Sequence, residues 1–304
     1  MPGLDGMRAL AVVAVMVYHA DVNWLHGGFL GVEVFFVISG YLITLLLLGE
    51  RERTGRIDLR QFWIRRFRRL LPALLVMMGL LAVYLTAFYP KARGRTRGDF
   101  IAGFPFYSSN WYQIWVGQGY GATEDFAPLR HLWSLAVEEQ FYLVWPVLLL
   151  ALWRSCGTDG AQARRLAVGG AAALAALSFA GALVVGESRL TLAFFASPLR
   201  AWELLAGAAL ALHQRGGPAL PARQGSWLAA LGLAAVLASA AGLSHDSHHP
   251  GWPTLLPVAG ALALIANAFV WKEVPLATIL LLVTMKSIPS DLYSAAKVDG
   301  ANVW

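Results

Sequence analysis

Eight apolar runs, at about 7–24, 30–49, 70–88, 132–153, 166–186, 190–212, 226–243 and 253–271, are each long enough to cross a bilayer. A shorter run at 274–285 is marginal in length. This pattern predicts an all-α polytopic bundle of about eight or nine membrane spans. Composition agrees: 58% of residues are hydrophobic, 14% are charged and the mean hydropathy is +0.57, which excludes an ordinary soluble domain. The first run lacks a basic leading region and a small-residue cleavage site, so it reads as a retained helix. Residues 104–117 (FPFYSSNWYQIWVG) are aromatic and polar, and fit an interfacial segment better than a span.

Charge sets the orientation. Eight arginines lie between Arg51 and Arg69, and the positive-inside rule makes this stretch cytoplasmic. The N-terminus is then cytoplasmic too. Arg154, Arg164 and Arg165 fall on the same side, while 89–130 and 244–252 fall outside. Lys91, Arg93, Arg95 and Arg97 run against this assignment, but the 51–69 cluster is the denser. The net charge of +6 comes from such clusters, which orient helices and meet anionic lipid without implying nucleic acid. Cys156 is the single cysteine, so no intrachain disulfide forms and no metal-ligand spacing appears.

Ionisable residues inside spans are costly and mark candidate chemistry. Arg8 and His19 are eleven positions apart in the first run, on one helix face and roughly 16 Å apart along the axis. His19 can take a proton from a hydroxyl near neutral pH; its bland alternative is a packing histidine at the interface. Arg8 could hold a phosphate or carboxylate near the cytoplasmic face, or simply snorkel there. Arg65, Arg66, Arg68 and Arg69 suit phosphate contacts, with Arg65 and Arg69 sharing a face, and they serve equally well as a topology signal.

In PLRHLWSLAVEEQFYLVWP, His131 and Glu138 lie on one helix face with Ser134 near the same stripe. Glu138 and Glu139 stand side by side in an apolar run, where they could orient a base, hold a sugar hydroxyl or pair with an arginine of another helix. Arg200 and Glu203 are spaced for a mutual ion pair. Glu33 stands alone among aromatics and glycines, and its helix could turn it toward His19 or Arg8. His245, His248 and His249 look like a short metal site but lack further ligands, so a solvated loop is the simpler reading.

These stretches, in order, resemble the integral membrane acyltransferase-3 family. The matching residues are GLDGMRALAVVAVMVYHA, GGFLGVEVFFVISGYLIT, FWIRRFRRLLPALL, LRHLWSLAVEEQFYLVWPVLL, SPLRAWELLAGAALAL and WPTLLPVAGALALI, covering about residues 3–266. The resemblance implies an enzyme of the bacterial cytoplasmic membrane. It would move an acyl group, acetyl in the first instance, from cytoplasmic acyl-CoA to a hydroxyl of an extracytoplasmic carbohydrate or glycolipid. It makes His19 the base or acyl relay and puts Arg8 and the arginines at 65–69 on the donor side. Glu138 and Glu139 stand as further catalytic candidates, His131 and Glu33 as substrate-binding ones, and no metal is implied.

The tail differs. Residues 269–304 resemble the coupling loop of a sugar ABC importer permease, on Ile288-Pro289, Leu292-Tyr293, Ala295-Ala296, Asp299-Gly300-Ala301 and Trp304. The expected organisation is therefore a truncated acyltransferase domain over 1–268 and a permease-like fragment over 269–304. Topology disfavours an ABC ATPase partner: if 274–285 spans, the loop lands outside, and otherwise it lacks its anchoring helices. A permease component and an inactive hybrid fragment remain the alternatives to the enzyme.

Overall fold

The computed structural model is all-α and describes residues 2–20, 26–89, 93–103, 107–117, 128–156, 160–215, 221–243 and 249–268. The permease-like tail lies outside the described residues. Helix α1 runs Pro2–His19, α2 Gly31–Thr54, α3 Leu59–Phe88, α4 Arg93–Gly103, α5 Ser109–Val116, α6 Leu132–Ser155 and α7 Gly160–Gly186. Then follow α8 Leu190–Phe195, α9 Ser197–Gln214, α10 Ala222–Gly242 and α11 Leu255–Ala268. Among the described residues, Gly28–Thr54, Leu59–Phe88, Leu132–Ser155, Gly160–Gly186 and Arg223–Gly242 are long and apolar enough to cross a membrane; Trp252–Asn267 is shorter but apolar.

Local chemistry explains the boundaries. The α2 helix stops where Gly55 takes a left-handed conformation (φ 72°) and returns its N–H to the Arg51 carbonyl. The α3 helix starts earlier than the apolar run at 70 suggested, because the Asp58 side chain accepts from the Gln61 N–H at 3.0 Å and caps it. The arginines at 65–69 therefore belong to the helix itself. The run at 190–212, read as one span, is two helices broken at Ala196, which is extended (ψ 121°). Pro198 has no N–H for a continuous helix, and it sits instead in the first turn of α9, where none is needed. Residues 109–116 of the expected interfacial segment form α5, whose Asn110 and Gln113 point inward and are buried.

The α2 helix is the centre of the bundle: 78% of its apolar window is buried, against 17% for α3, α7 and α10. Its partner is α9. A side chain at Gly40 would put its Cβ 1.9 Å from the Leu204 carbonyl oxygen, and one at Gly207 would meet the Val37 carbonyl at the same distance. Lipid offers no hydrophobic drive between helices, so such close backbone contact supplies the packing. Around this seam Val37, Ile38, Tyr41, Leu47, Leu204, Ala208 and Leu212 are buried. The α1 helix joins α2 in the same manner, with Gly31 against the Ala11 carbonyl.

Gly207→Val forces the α2–α9 seam apart. We expect it to destabilise the detergent-purified protein by at least about 1–3 kcal/mol, read as an earlier melting of the monodisperse peak. The equivalent change at Gly170, which has open space around it, should leave melting nearly unchanged.

Candidate functional site

The N-terminal ends of α2, α6 and α9 meet the C-terminal end of α1 at one end of the bundle, and polar groups concentrate there. His19 closes α1 and is exposed. Its Nδ1 lies 2.8 Å from the Val15 carbonyl oxygen. A carbonyl only accepts, so Nδ1 carries the hydrogen, and Nε2 is the basic nitrogen of the neutral ring. His131 stands nearby at the start of α6. It is open on one side, yet crowding by surrounding protein, and then the charge of His19, lower its imidazole below the ordinary value.

Glu33 does not face His19 or Arg8. It lies in the first turn of α2, 1% exposed, and accepts from Arg200 Nη2 at 2.8 Å and from His249 Nε2 at 2.6 Å. Arg200 also meets Glu203 at 3.2 Å, the ion pair its spacing predicted. The rings of Phe36, Trp133 and Phe194 surround the guanidinium at 5.4–5.8 Å. Arg200 Nε and Nη1 make no hydrogen bond and so lie among these ring faces. The solvated-loop reading is corrected at His249, which is buried between Phe29 and Phe194 because Glu33 holds it. His245 and His248 lie outside the described residues.

A second charged group joins α3 to α6. Arg66 donates through Nε to Glu139 at 2.7 Å and through Nη2 to Glu138 at 3.5 Å. Its guanidinium lies 3.5 Å over the Tyr142 ring, and the Tyr142 hydroxyl donates to Glu138. The adjacent carboxylates thus pair with an arginine of another helix. The four arginines do not act together. Arg65 turns away to Glu50 at 2.9 Å, and Arg68 and Arg69 are exposed.

Arg8 stands at another level than expected. The contact of Ala11 with Gly31 fixes the α1–α2 register, and the Arg8 guanidinium lies 4.9 Å from the Phe35 ring. That places Arg8 roughly 6 Å along α2 from Gly31 and roughly 28 Å from Thr54. It is thus nearer the His19 end than the opposite surface. Its Nε is buried and makes no hydrogen bond.

A polar network that sequence reasoning did not single out lies between the two charged groups. Gln140 donates to the Tyr107 carbonyl at 2.7 Å and to Asn110 at 2.9 Å. Asn110 in turn donates to the Phe195 carbonyl at 3.0 Å and to Ser197 at 2.9 Å, and Ser197 donates to Gln140 at 2.5 Å. Asn110 thereby satisfies a carbonyl exposed by the α8–α9 break. Two of its members, Asn110 and Gln140, are amides within apolar surroundings, and that was the available signal. Beside it, Asp99 accepts from Gln113 at 2.9 Å, and burial raises the Asp99 carboxyl above its ordinary range.

Arg66→Ala leaves two carboxylates buried without their cation. We expect a loss of about 3–5 kcal/mol, seen as poor recovery of folded protein after extraction. Arg66→Lys should recover part of it, since lysine restores the charge but not the two-armed geometry.

A family model described as an acyltransferase domain matches residues 1–284. The peptidoglycan O-acetyltransferase OatA of Listeria monocytogenes is 41% identical over 241 residues, 78% of this chain and 38% of that protein. A putative O-acetyltransferase of Staphylococcus aureus strain MSSA476 is 51% identical over 152 residues, 50% of this chain and 25% of the relative. The O-acetyltransferase OatA of S. aureus strain NCTC 8325 is 49% identical over 152 residues, with the same coverage. The chain therefore spans well under half the length of these relatives. No solved structure matches it significantly. None of these findings supports a permease part, and the family match runs on through residue 284, past the expected boundary at 268. The chain belongs to the acyltransferase-3 family of membrane proteins.

Proposed function

We propose that this protein transfers an acyl group, in the first instance acetyl, from cytoplasmic acyl-CoA to a hydroxyl of an envelope carbohydrate of the peptidoglycan class. The observation that carries this reading is His19. It is an exposed imidazole at the end of a membrane helix, with its Nδ1–H committed to Val15 and its basic Nε2 set by that bond. Membership of the acyltransferase family and the peptidoglycan O-acetyltransferase named among the relatives supply the reaction class and the acceptor.

The chemistry assigns roles by position. Nε2 of His19 takes the proton of the acceptor hydroxyl as its oxygen attacks the acyl carbon. The carbon–sulfur bond of the thioester breaks, and the proton ends on the departing CoA thiol. Arg8 lies roughly 16 Å along α1 from His19, on the donor side of it, and its Nε–H, which no hydrogen bond uses, is placed to hold the donor arm rather than the reacting carbonyl. The exposed Arg65, Arg68 and Arg69 receive the phosphates of CoA. Glu138 and Glu139, held by Arg66 and Tyr142, fix α6 and with it His131, which lines the acceptor side. The arginines that take the CoA phosphates and the base lie toward opposite ends of the bundle, so the acyl group stays on the CoA sulfur, carried toward His19 on the extended pantetheine arm, until the hydroxyl attacks it. The extracytoplasmic position of the His19 end follows from the arginine cluster at 51–69.

His19→Ala should cut acyl transfer by at least about 10²-fold while leaving expression and melting unchanged, because the side chain is exposed. The assay is transfer of labelled acetyl from acetyl-CoA to an oligosaccharide acceptor in sealed, oriented vesicles. Turnover supported only by acetyl-CoA on the His19 side would overturn the assignment of donor and acceptor sides.

A further inference from the structure

The group around Arg200 does not balance its charge when both of its carboxylates are ionised and its imidazole is neutral. Two carboxylates, Glu33 and Glu203, are 1% and 0% exposed, and among the described residues one guanidinium, that of Arg200 at 0% exposure, serves both. Ionised carboxylates with one arginine leave a net charge of −1 sealed in a low-dielectric interior. Such a charge is costly, and the cost is removed by pairing or by protonation. The fourth member, His249, is joined directly to Glu33. One proton, held on the imidazole or on Glu203, makes the group neutral. A second proton would again unbalance it.

We propose that Glu33, Arg200, Glu203 and His249 form a one-proton site at the His19 end of the bundle, and that His249, docked by it, positions that end. The surroundings fit. Phe29 and Phe194 place their rings against His249 at 5.0 and 5.4 Å. The turn between α7 and α8, beside Pro250, carries Glu187 and Arg189, both exposed. One ring further away, Tyr18 packs at a tilt against Phe29 at 5.4 Å and meets the His19 ring edge-on at 5.2 Å. A continuous row of rings thus links the docked histidine to the end of α1. When the proton leaves, the net charge returns, the dock of His249 weakens, and the packing under Tyr18 and His19 loosens. The link to His19 rests on the function proposed above; the one-proton site does not.

The test separates the two. Melting of the protein in lipid nanodiscs is followed between about pH 6 and pH 9, across and above the imidazole range. The folded state keeps one proton that the unfolded chain has lost, so stability falls as pH rises, by up to about tenfold in the unfolding equilibrium per pH unit. Glu203→Gln removes the second carboxylate, leaves the group neutral without a proton and flattens this slope. His249→Gln keeps both carboxylates, so the slope persists and begins at lower pH, in the carboxylate range. Glu187→Gln, an exposed neighbour, retains the wild-type slope. A wild-type protein with no slope, or a Glu203→Gln variant with an undiminished one, overturns the proposal. His19→Ala keeps the slope while losing acyl transfer. If it keeps its activity instead, the proposed role of His19 falls and the proton site stands.

Discussion

The architecture turns on a single buried contact, the Arg200–Glu33 ion pair between the first turns of α9 and α2. A buried pair adds little net stability over an apolar contact of equal volume, but removing one partner is severe, so it specifies more than it stabilises. Here it fixes which turn of α9 faces which turn of α2. The glycine seam then brings the backbones together below it, from Val37 and Gly40 to Leu204 and Gly207. The α6 helix joins through Trp133, whose ring faces the guanidinium, and the segment before α11 joins through His249.

The second charged group is tied to the first through the protein interior. Gln140 follows Glu139 directly on α6 and bonds to Ser197, which precedes Arg200 by one helical turn. Asn110 of α5 closes the ring of amides and hydroxyl between them. Buried polar groups linked in this way strengthen one another and tolerate no gap. The short α5 helix is therefore part of the polar core. The α8–α9 break exists at the place where its exposed carbonyl can be satisfied.

Much of this was legible in the residues, and the part that was not has physical reasons. Apolar run length gives the membrane class and most helices, because lipid permits few alternatives. The i, i+3 spacing of Arg200 and Glu203 gives their local pair. The third partner, Glu33, is remote in sequence and joins only through the α2–α9 register, which spacing cannot supply. His249 sits in a histidine-rich stretch that composition alone assigns to solvent, and one docking carboxylate reverses that. Arg8 was misplaced in depth because helix start and depth are set by a neighbour's glycine, not by helix length. Asp58 as a cap was the overlooked cue that brings Arg65 to Arg69 into α3.

That last feature bears on the membrane as well as on the protein. The α3 helix is 30 residues long, roughly 45 Å, and its apolar part from residue 70 to 88 alone matches a hydrocarbon core. The preceding turns present Arg65, Arg68 and Arg69 outward on a helix that is little buried. Because the apolar part alone spans the core, these side chains emerge at headgroup depth, where they hold lipid phosphates against the helix. A patch of fixed positive charge therefore stands at that surface, and any anionic solute arriving from that side is concentrated there before it touches the protein.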